Sequence, residues 1–183
     1  GDWWVLAGSL PPGVSQTIYA KMVALIQSGG GQAILDTSGA ALMAGCAERP
    51  FLIKPNDSEA SSLSGLPINT PEDAAAAARQ IQALGPQNVI ISLGKAGAIF
   101  SDGQFAWLAE SPTIEERNPI GAGDSMVGGL VYGLSQGLPV AEALRWGIAC
   151  GAASASLAGT AVGSRELVQT LLAQVKVKQL TTP

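Results

Sequence analysis

The feature that most constrains the fold is a set of short apolar runs in which hydrophobic and polar residues do not alternate. These runs lie at residues 3–7, 33–35, 51–53 and 89–91. A strand that is apolar on both faces is typical of a parallel sheet covered by helices on both sides. Segments with helical spacing separate the runs, as the crossover connections of such a sheet require. The sequence therefore predicts an α/β fold with a mostly parallel sheet.

The helical segments are identified by the spacing of their apolar residues and by their ends. In the first segment Ile18, Met22, Leu25 and Ile26 share one face, which we expect to be buried. Glycines 29–31 end this helix. The other expected helices are residues 40–46, 57 to Gly65, 74–84 after a Thr70 cap, 121–135, 140–157 and 165–175. A hairpin is expected around Asp102-Gly103, and the C-terminal part that follows it is expected to be mostly helical.

Glycine-rich and polar loops follow the predicted strands, at residues 8–13, 36–39, 54–59 and 92–97. The second strand delivers Asp36 to its carboxyl end. In open parallel sheets ligands bind beyond the carboxyl ends of the strands. The four loops therefore predict a ligand site along one edge of the sheet.

Composition excludes several classes of protein. The chain has 183 residues, of which 47% are hydrophobic and 13% charged, so we expect one folded α/β domain over residues 1–183 rather than a disordered chain. A net charge of -4 argues against a general nucleic-acid binder. The absence of histidine excludes Ser-His-Asp and Cys-His catalysis and zinc sites with histidine ligands.

The cysteines and the hydropathy pattern bear on location. Cys46 and Cys150 are far apart in sequence, and we expect two buried thiols in a reducing compartment. No signal peptide is visible at the start of the chain. The uncharged window over residues 146–163 reaches a length that could span a membrane, but glycine, alanine and serine dominate it. We expect a helix packed on a sheet there, and a soluble, cytoplasmic protein.

The most informative local motif is Asn-Pro-Ile-Gly-Ala-Gly-Asp-Ser at residues 118–125. A Gly-Ala-Gly turn that leads into a long helix leaves unpaired N–H groups directed at one point, an arrangement suited to phosphate. Asp124, in the same turn, is placed to take a proton from an attacking hydroxyl. The alternative is that Asp124 only caps the helix, and the spacing does not distinguish the two roles.

Two further motifs are ambiguous when taken alone. Asn56 and Glu59 lie three residues apart at a helix start, where they could orient waters around Mg²⁺ or form a capping box. The loop from Ser92 to Gly97 could approach a nucleotide or form a plain turn, and it is not a Walker A motif. The capping box and the plain turn are the simpler interpretations.

In their order along the chain, these motifs resemble those of the PfkB (ribokinase-like) carbohydrate kinases. The resemblance rests on Gly-Ser-Leu-Pro-Pro-Gly at 8–13, Lys-Pro-Asn with Glu at 54–59, Ser-x-Gly-x-x-Gly at 92–97 and Gly-Ala-Gly-Asp-Ser at 121–125. Asp-Thr-Ser-Gly at 36–39 also fits the branch that acts on sugar phosphates, the phosphofructokinases and tagatose-6-phosphate kinases.

The resemblance implies a role for each matching residue. Asp124 is implied to be the catalytic base, in contact with the substrate, and Gly8 and Ser9 to lie near the acceptor sugar. The backbone N–H groups of Gly121, Ala122, Gly123 and Asp124 are implied to hold the transferring phosphoryl group. Asn56 and Glu59 are implied to organise Mg²⁺, mainly through water. The implied ATP site consists of Lys54, Asn56, Ser92, Gly94, Lys95 and Gly97.

The resemblance also implies a three-layer ribokinase-like sandwich, of which this chain matches the C-terminal part without the N-terminal region and its lid. Implied partners are ATP and a hexose phosphate (fructose 1-phosphate, fructose 6-phosphate or tagatose 6-phosphate), with a homodimer of the full-length protein. Many relatives bind a monovalent cation such as K⁺ near the segment that corresponds to residues 118–120, where they have an Asp-Thr pair. The alternative to an active kinase is a nucleotide-binding fragment without activity. A dinucleotide-binding dehydrogenase is excluded because Gly-x-Gly-x-x-Gly does not occur.

Overall fold

The computed structural model describes residues 1–180, in which seven strands and seven α-helices occur. The strands are Trp3–Ala7 (β1), Gln32–Asp36 (β2), Leu52–Ile53 (β3), Asn88–Ser92 (β4), Ala98–Ser101 (β5), Ala106–Glu110 (β6) and Lys176–Leu180 (β7). The helices are Ile18–Ser28 (α1), Gly39–Ala47 (α2), Asp57–Ser64 (α3), Pro71–Gln82 (α4), Ala122–Ser135 (α5), Val140–Ala155 (α6) and Arg165–Leu172 (α7).

β1 to β5 are hydrogen-bonded in chain order, and β6 is hydrogen-bonded to β7. β1, β2, β3 and β4 pair in parallel, with Leu6 opposite Leu35 and Leu35 opposite Ile53. These pairs lie in the buried part of the sheet, since Leu35 and Ile53 are fully buried. The predicted α/β class with a mostly parallel sheet is confirmed.

Two compact units are distinguished within the chain. Unit 1 comprises residues 1–93, 99–106 and 180. Its core is formed by the strand residues of β2, β3 and β4 together with small residues of α4. Thr70 caps the start of α4 as predicted, in a capping box with Asp73, although that helix ends at Gln82 rather than at residue 84.

Unit 2 comprises residues 94–98 and 107–179. Its α5 and α6 pack closely because glycines face the contact. A Cβ atom on Gly147 would lie 2.8 Å from the Met126 carbonyl oxygen, and one on Gly133 would lie 2.7 Å from Ala143 Cα. Both distances are too short for real contacts, so these positions require glycine. The glycine pattern fixes how the two helices approach each other.

Two sequence-based predictions about elements are wrong in part. Of the four residues expected on the buried face of α1, Ile18 and Ile26 are half-buried but Met22 and Leu25 are exposed, and the buried residues of the helix are Ala20 and Val23. α1 packs against β2 and α2. The last helix ends at Leu172, and β7 follows it where no strand was predicted. Lys178 of this strand forms an ion pair with Glu110 of β6 at 2.9 Å.

Candidate active site

In unit 1, several predicted site residues lie at the carboxyl ends of β1 to β4. Gly8 follows β1, Asp36 ends β2, Lys54 follows β3 and Ser92 ends β4. Because the four strands are parallel and adjacent, these residues share one edge of the sheet. The predicted placement of the loops is therefore confirmed for this unit.

Lys54 and Asp36 form an ion pair at this edge. Lys54 Nζ lies 3.1 Å from Asp36 Oδ1, and the side chains are only 8% and 17% exposed. The backbone N–H of Lys54 also donates to the Leu35 carbonyl oxygen at 3.1 Å. A buried ion pair needs good geometry to offset the cost of removing two charges from water. The pair fixes the Lys54 ammonium at the end of the strands.

Asn56 and Glu59 form the capping box of α3. Asn56 Oδ1 accepts from the Glu59 N–H at 2.8 Å, and Glu59 Oε2 accepts from the Asn56 N–H at 2.9 Å. The capping interpretation is thus confirmed, and the Mg²⁺ role stays a prediction. The box uses Glu59 Oε2 and leaves Oε1 outside it. Asn56 also lies beside Ser92, whose N–H donates to the Pro55 carbonyl oxygen at 3.0 Å.

The loop after β1 is held by side chains that sequence analysis missed. The Gly8 N–H donates to the Asp36 carbonyl oxygen at 2.9 Å. The Gly8 carbonyl oxygen accepts from Thr37 Oγ1 at 2.8 Å and from the Tyr19 hydroxyl at 3.1 Å. Gly8 has φ +99°, a conformation that favours glycine, and Ser9 is exposed beyond it. The position of Thr37 directly after Asp36 was the available clue, whereas nothing in the sequence singled out Tyr19.

In unit 2, the glycine loop forms a 3₁₀ turn at Gly94–Ala96. Gly97 has φ +103°, and a Cβ atom there would collide with the Ala109 carbonyl oxygen. Glycine is therefore required at this position by both the backbone angle and the space. Lys95 is exposed and lies 3.6 Å from Glu116 Oε2. Such an exposed pair contributes little to stability and leaves Lys95 accessible.

The start of α5 has the geometry expected of an anion site. Gly121 occupies the N-cap position with φ +81°. The Ala122 N–H is used inside the turn, where it donates to the Pro119 carbonyl oxygen at 3.1 Å. Within the described residues, the N–H groups of Gly121, Gly123 and Asp124 have no backbone partner. Such groups at a helix N-terminus favour a negatively charged ligand.

Asp124 does not cap this helix. It is the third residue of α5, it is exposed, and the helix N-terminus has no side-chain cap hydrogen bond. The capping alternative is therefore wrong for this residue. The next residue, Ser125, is hydrogen-bonded to the buried Ser154 of α6 at 2.8 Å between the two hydroxyl oxygens. Ser154 was missed by sequence analysis, and it anchors the first turn of α5 to α6.

Asp124 and Ser125 are among the residues that line a cavity of about 610 Å³ within unit 2. Its other walls are mainly apolar. Tyr132 and Trp146 form part of them, with ring centroids 4.9 Å apart in an edge-to-face arrangement. The carboxylate of Asp124 thus has open space beside it.

The cysteines and carboxylates of the described residues do not form a metal cluster. In the part of the chain that the structure describes, no three His, Cys, Asp or Glu side chains come together as metal ligands. Both cysteines are free, but only Cys46 is buried, and Cys150 is half-buried because it borders the cavity. Burial raises the pKa of the Cys46 thiol to about 11 and also raises that of Cys150. None of the described helices is long and apolar enough to cross a membrane.

The chain is similar to known proteins over nearly its whole length. The model of the pfkB family of carbohydrate kinases matches residues 1–167. A 1-phosphofructokinase of Haemophilus influenzae is 37% identical over 180 residues, which are 98% of this chain and 58% of that protein. A 1-phosphofructokinase of Bacillus subtilis is 36% identical, over 98% of this chain and 59% of that protein.

Solved structures have the same fold. Phosphofructokinase-2 from Escherichia coli in complex with potassium is 34% identical, with a TM-score of 0.87 over 94% of this chain and 56% of its own. The tetrameric inhibited form of that enzyme is 33% identical, with a TM-score of 0.82 over 93% of this chain and 56% of its own. The chain thus spans less than three fifths of the length of these relatives. By its family match it belongs to the pfkB family of carbohydrate kinases.

Proposed function

We propose that this chain is the nucleotide-binding and catalytic part of an ATP-dependent hexose-phosphate kinase, with residues 1–183 as one α/β domain. Family membership and the 1-phosphofructokinases among its relatives support phosphoryl transfer to a sugar phosphate. The observation that carries the proposal is the start of α5, where N–H groups without a backbone partner and the exposed carboxylate of Asp124 occupy one helical turn.

The proposed reaction needs one base and an anion site. The acceptor hydroxyl oxygen bonds to the γ-phosphorus while the bond from that phosphorus to the β,γ-bridging oxygen breaks, and ADP leaves. Asp124 takes the hydroxyl proton. The N–H groups of Gly121, Gly123 and Asp124 stabilise the negative charge on the transferring group. The Ala122 N–H, which the turn itself uses, is the weakest of the four proposed donors.

The remaining ATP contacts come from the loops already described. In unit 1 we assign Lys54, Asn56 and Ser92 to the nucleotide, with Asp36 holding the lysine. In unit 2 we assign Gly94, Lys95 and Gly97, of which Lys95 is exposed. For the acceptor we assign Gly8 and Ser9 in unit 1, and Asp124 in unit 2.

Mg²⁺ fits the residues that the resemblance implies. Mg²⁺ prefers one or two carboxylates and several waters, and Glu59 keeps one oxygen outside its capping box. Asn56 and Glu59 would hold the hydrated ion. When bound, the ion neutralises charge on the phosphates.

The wider properties of the protein are also proposals. A potassium requirement is supported by the potassium complex of the E. coli relative, and self-association by the tetrameric form of that relative. A homodimer of the full-length protein stays a prediction. Two free cysteines support a cytoplasmic location, because cytosolic thiols stay reduced.

A second candidate is a nucleotide-binding fragment without turnover. The observation in its favour is that the chain spans only 58% of the H. influenzae relative. Much of an acceptor pocket can lie in the part of such proteins that this chain does not match. The two candidates share the ATP site and differ in acceptor binding.

The experiment is an ADP-release assay on this polypeptide with Mg-ATP. Fructose 1-phosphate, fructose 6-phosphate, tagatose 6-phosphate and unphosphorylated fructose are compared, in potassium and in sodium salts. Turnover with a phosphorylated sugar supports the kinase and identifies its acceptor. Absence of turnover with saturable Mg-ATP binding supports the fragment. Absence of both contradicts the two candidates.

A further inference from the structure

The segment before α5 is bound to the end of α6 within unit 2. The backbone N–H groups of Arg117 and Asn118 both donate to the Ala155 carbonyl oxygen, at 2.8 and 3.1 Å. Ala155 is the last residue of α6, and its carbonyl has no partner in the next helical turn. The two bonds therefore satisfy the carbonyl group at the C-terminal end of α6. They also fix the backbone just before residues 120–124, which we call the anion-binding turn.

The Asn118 side chain adds two further hydrogen bonds. Its Nδ2 donates to the Gly159 carbonyl oxygen at 2.7 Å, and its Oδ1 accepts from the Ile120 N–H at 3.0 Å. One partner is a pure acceptor and the other a pure donor, so only one orientation of the amide satisfies both. The side chain thus joins the anion-binding turn to the loop after α6.

Besides the bond from the Ala122 N–H to the Pro119 carbonyl oxygen, the start of the anion-binding turn has no anchor in its own apolar side chains. Ile120 is 66% exposed, and Pro119 is also exposed. Neither side chain can anchor the turn by burial. A side-chain oxygen that accepts from the N–H two residues ahead stabilises a local turn. Here that bond fixes Ile120 directly before Gly121, whose φ of +81° sets the direction of the following N–H groups.

We propose that Asn118 is a positioning residue, which holds the anion-binding turn in the geometry that accepts the γ-phosphate. The inference rests on the proposed function, because the ligand of the turn is the transferring phosphoryl group. Asn118 acts through the Ile120 N–H and through Gly159, without touching the ligand itself. It therefore affects ligands with a γ-phosphate more than ligands without one.

The test compares calorimetric titrations of Mg-ATP and Mg-ADP into wild-type protein and three variants. Asn118→Ala removes both side-chain bonds. Asn118→Ser retains an oxygen that can accept from the Ile120 N–H, but it is too short to reach Gly159. Asn88→Ala is the matched control, because Asn88 Nδ2 donates to the Phe51 carbonyl oxygen at 2.8 Å in unit 1. Thermal unfolding of each variant measures stability separately.

We expect Asn118→Ala to weaken Mg-ATP binding about tenfold, the effect of about 1.4 kcal/mol, and Mg-ADP binding less than about twofold. Asn118→Ser should recover most of the loss, whereas Asn88→Ala should leave the ratio of the two affinities unchanged. The inference is overturned if Asn118→Ala changes the affinities for Mg-ATP and Mg-ADP equally, or changes neither. If Asn118→Ala does not fold, Asn118→Ser decides the question. A folded Asn118→Ser protein whose ratio of Mg-ATP to Mg-ADP affinity differs clearly from that of wild type also overturns the inference. If the wild-type protein binds neither nucleotide, the proposed function itself is contradicted, and the inference that rests on it fails as well.

Discussion

Lys54 Nζ lies 3.1 Å from Asp36 Oδ1, at the ends of two adjacent parallel strands. Both side chains are largely withdrawn from solvent, so each charge depends on the other. The pair places a cation at the carboxyl edge of the sheet, where the nucleotide is proposed to bind.

The first prediction concerns this pair. Lys54→Met leaves the Asp36 charge buried without its cation and should lower the free energy of unfolding by about 3–5 kcal/mol. The double variant Asp36→Asn/Lys54→Met removes both charges and should recover most of that loss. Urea denaturation measures the effect. Equal stability of Lys54→Met and wild type would show that the pair is not coupled in solution.

The capping box at the start of α3 separates two roles of Glu59. Asn56→Ala removes the cap and should cost about 1 kcal/mol of unfolding free energy. Glu59→Gln preserves a box, since glutamine also accepts from the N-cap N–H, and should change stability by less than about 0.5 kcal/mol. If Glu59 organises Mg²⁺, the same variant should raise the Mg²⁺ concentration needed for half-maximal turnover. An unchanged Mg²⁺ dependence would leave Glu59 with the cap alone.

The glycine loop yields a prediction about backbone geometry. Gly97→Ala should destabilise the protein by about 2 kcal/mol or more, because φ +103° and the nearby Ala109 carbonyl both exclude a Cβ atom. Gly94→Ala is the matched control, since Gly94 also has positive φ but a Cβ atom there would meet nothing within 4 Å. Thermal unfolding should therefore show a smaller loss for Gly94→Ala. A larger loss there would contradict the explanation by collision.

The thiols give a prediction about pH. Only the thiolate reacts with a disulfide reagent, and burial raises the pKa of Cys46 to about 11. Because a raised pKa keeps the thiol protonated, Cys46 should be almost unreactive at about pH 8 in the folded protein. Cys150, which is half-buried and borders the cavity, should react first. Titration with Ellman's reagent in Cys46→Ala and Cys150→Ala checks the order, and faster reaction of Cys46 would contradict it.

The features that depend on local sequence were predictable. The strands β1 to β4 and the carboxyl-edge loops follow from apolar runs and glycines, and the caps of α3 and α4 follow from residue spacing. The strand β7, with lysines at two of its five positions, has no such run and was missed. Contacts between distant segments were not predictable. Nothing near Tyr19 indicates its bond to the Gly8 carbonyl, and nothing near Ser154 indicates Ser125. The buried face of α1 was mispredicted because the hydrophobic spacing favoured large side chains, whereas the packing selected Ala20 and Val23.

The central claim is that Asp124 acts as the base, and one substitution tests it directly. Asp124→Asn keeps the size of the side chain and removes its ability to take a proton. Glu142→Gln is the matched control, because Glu142 is also an acidic residue in the first turn of a helix in unit 2. The measurement is ADP release with the acceptor that the wild-type chain uses, together with Mg-ATP affinity. We expect turnover of Asp124→Asn to fall at least about 100-fold with Mg-ATP affinity within about threefold, and Glu142→Gln to match wild type. Turnover of Asp124→Asn within about tenfold of wild type would contradict the mechanism.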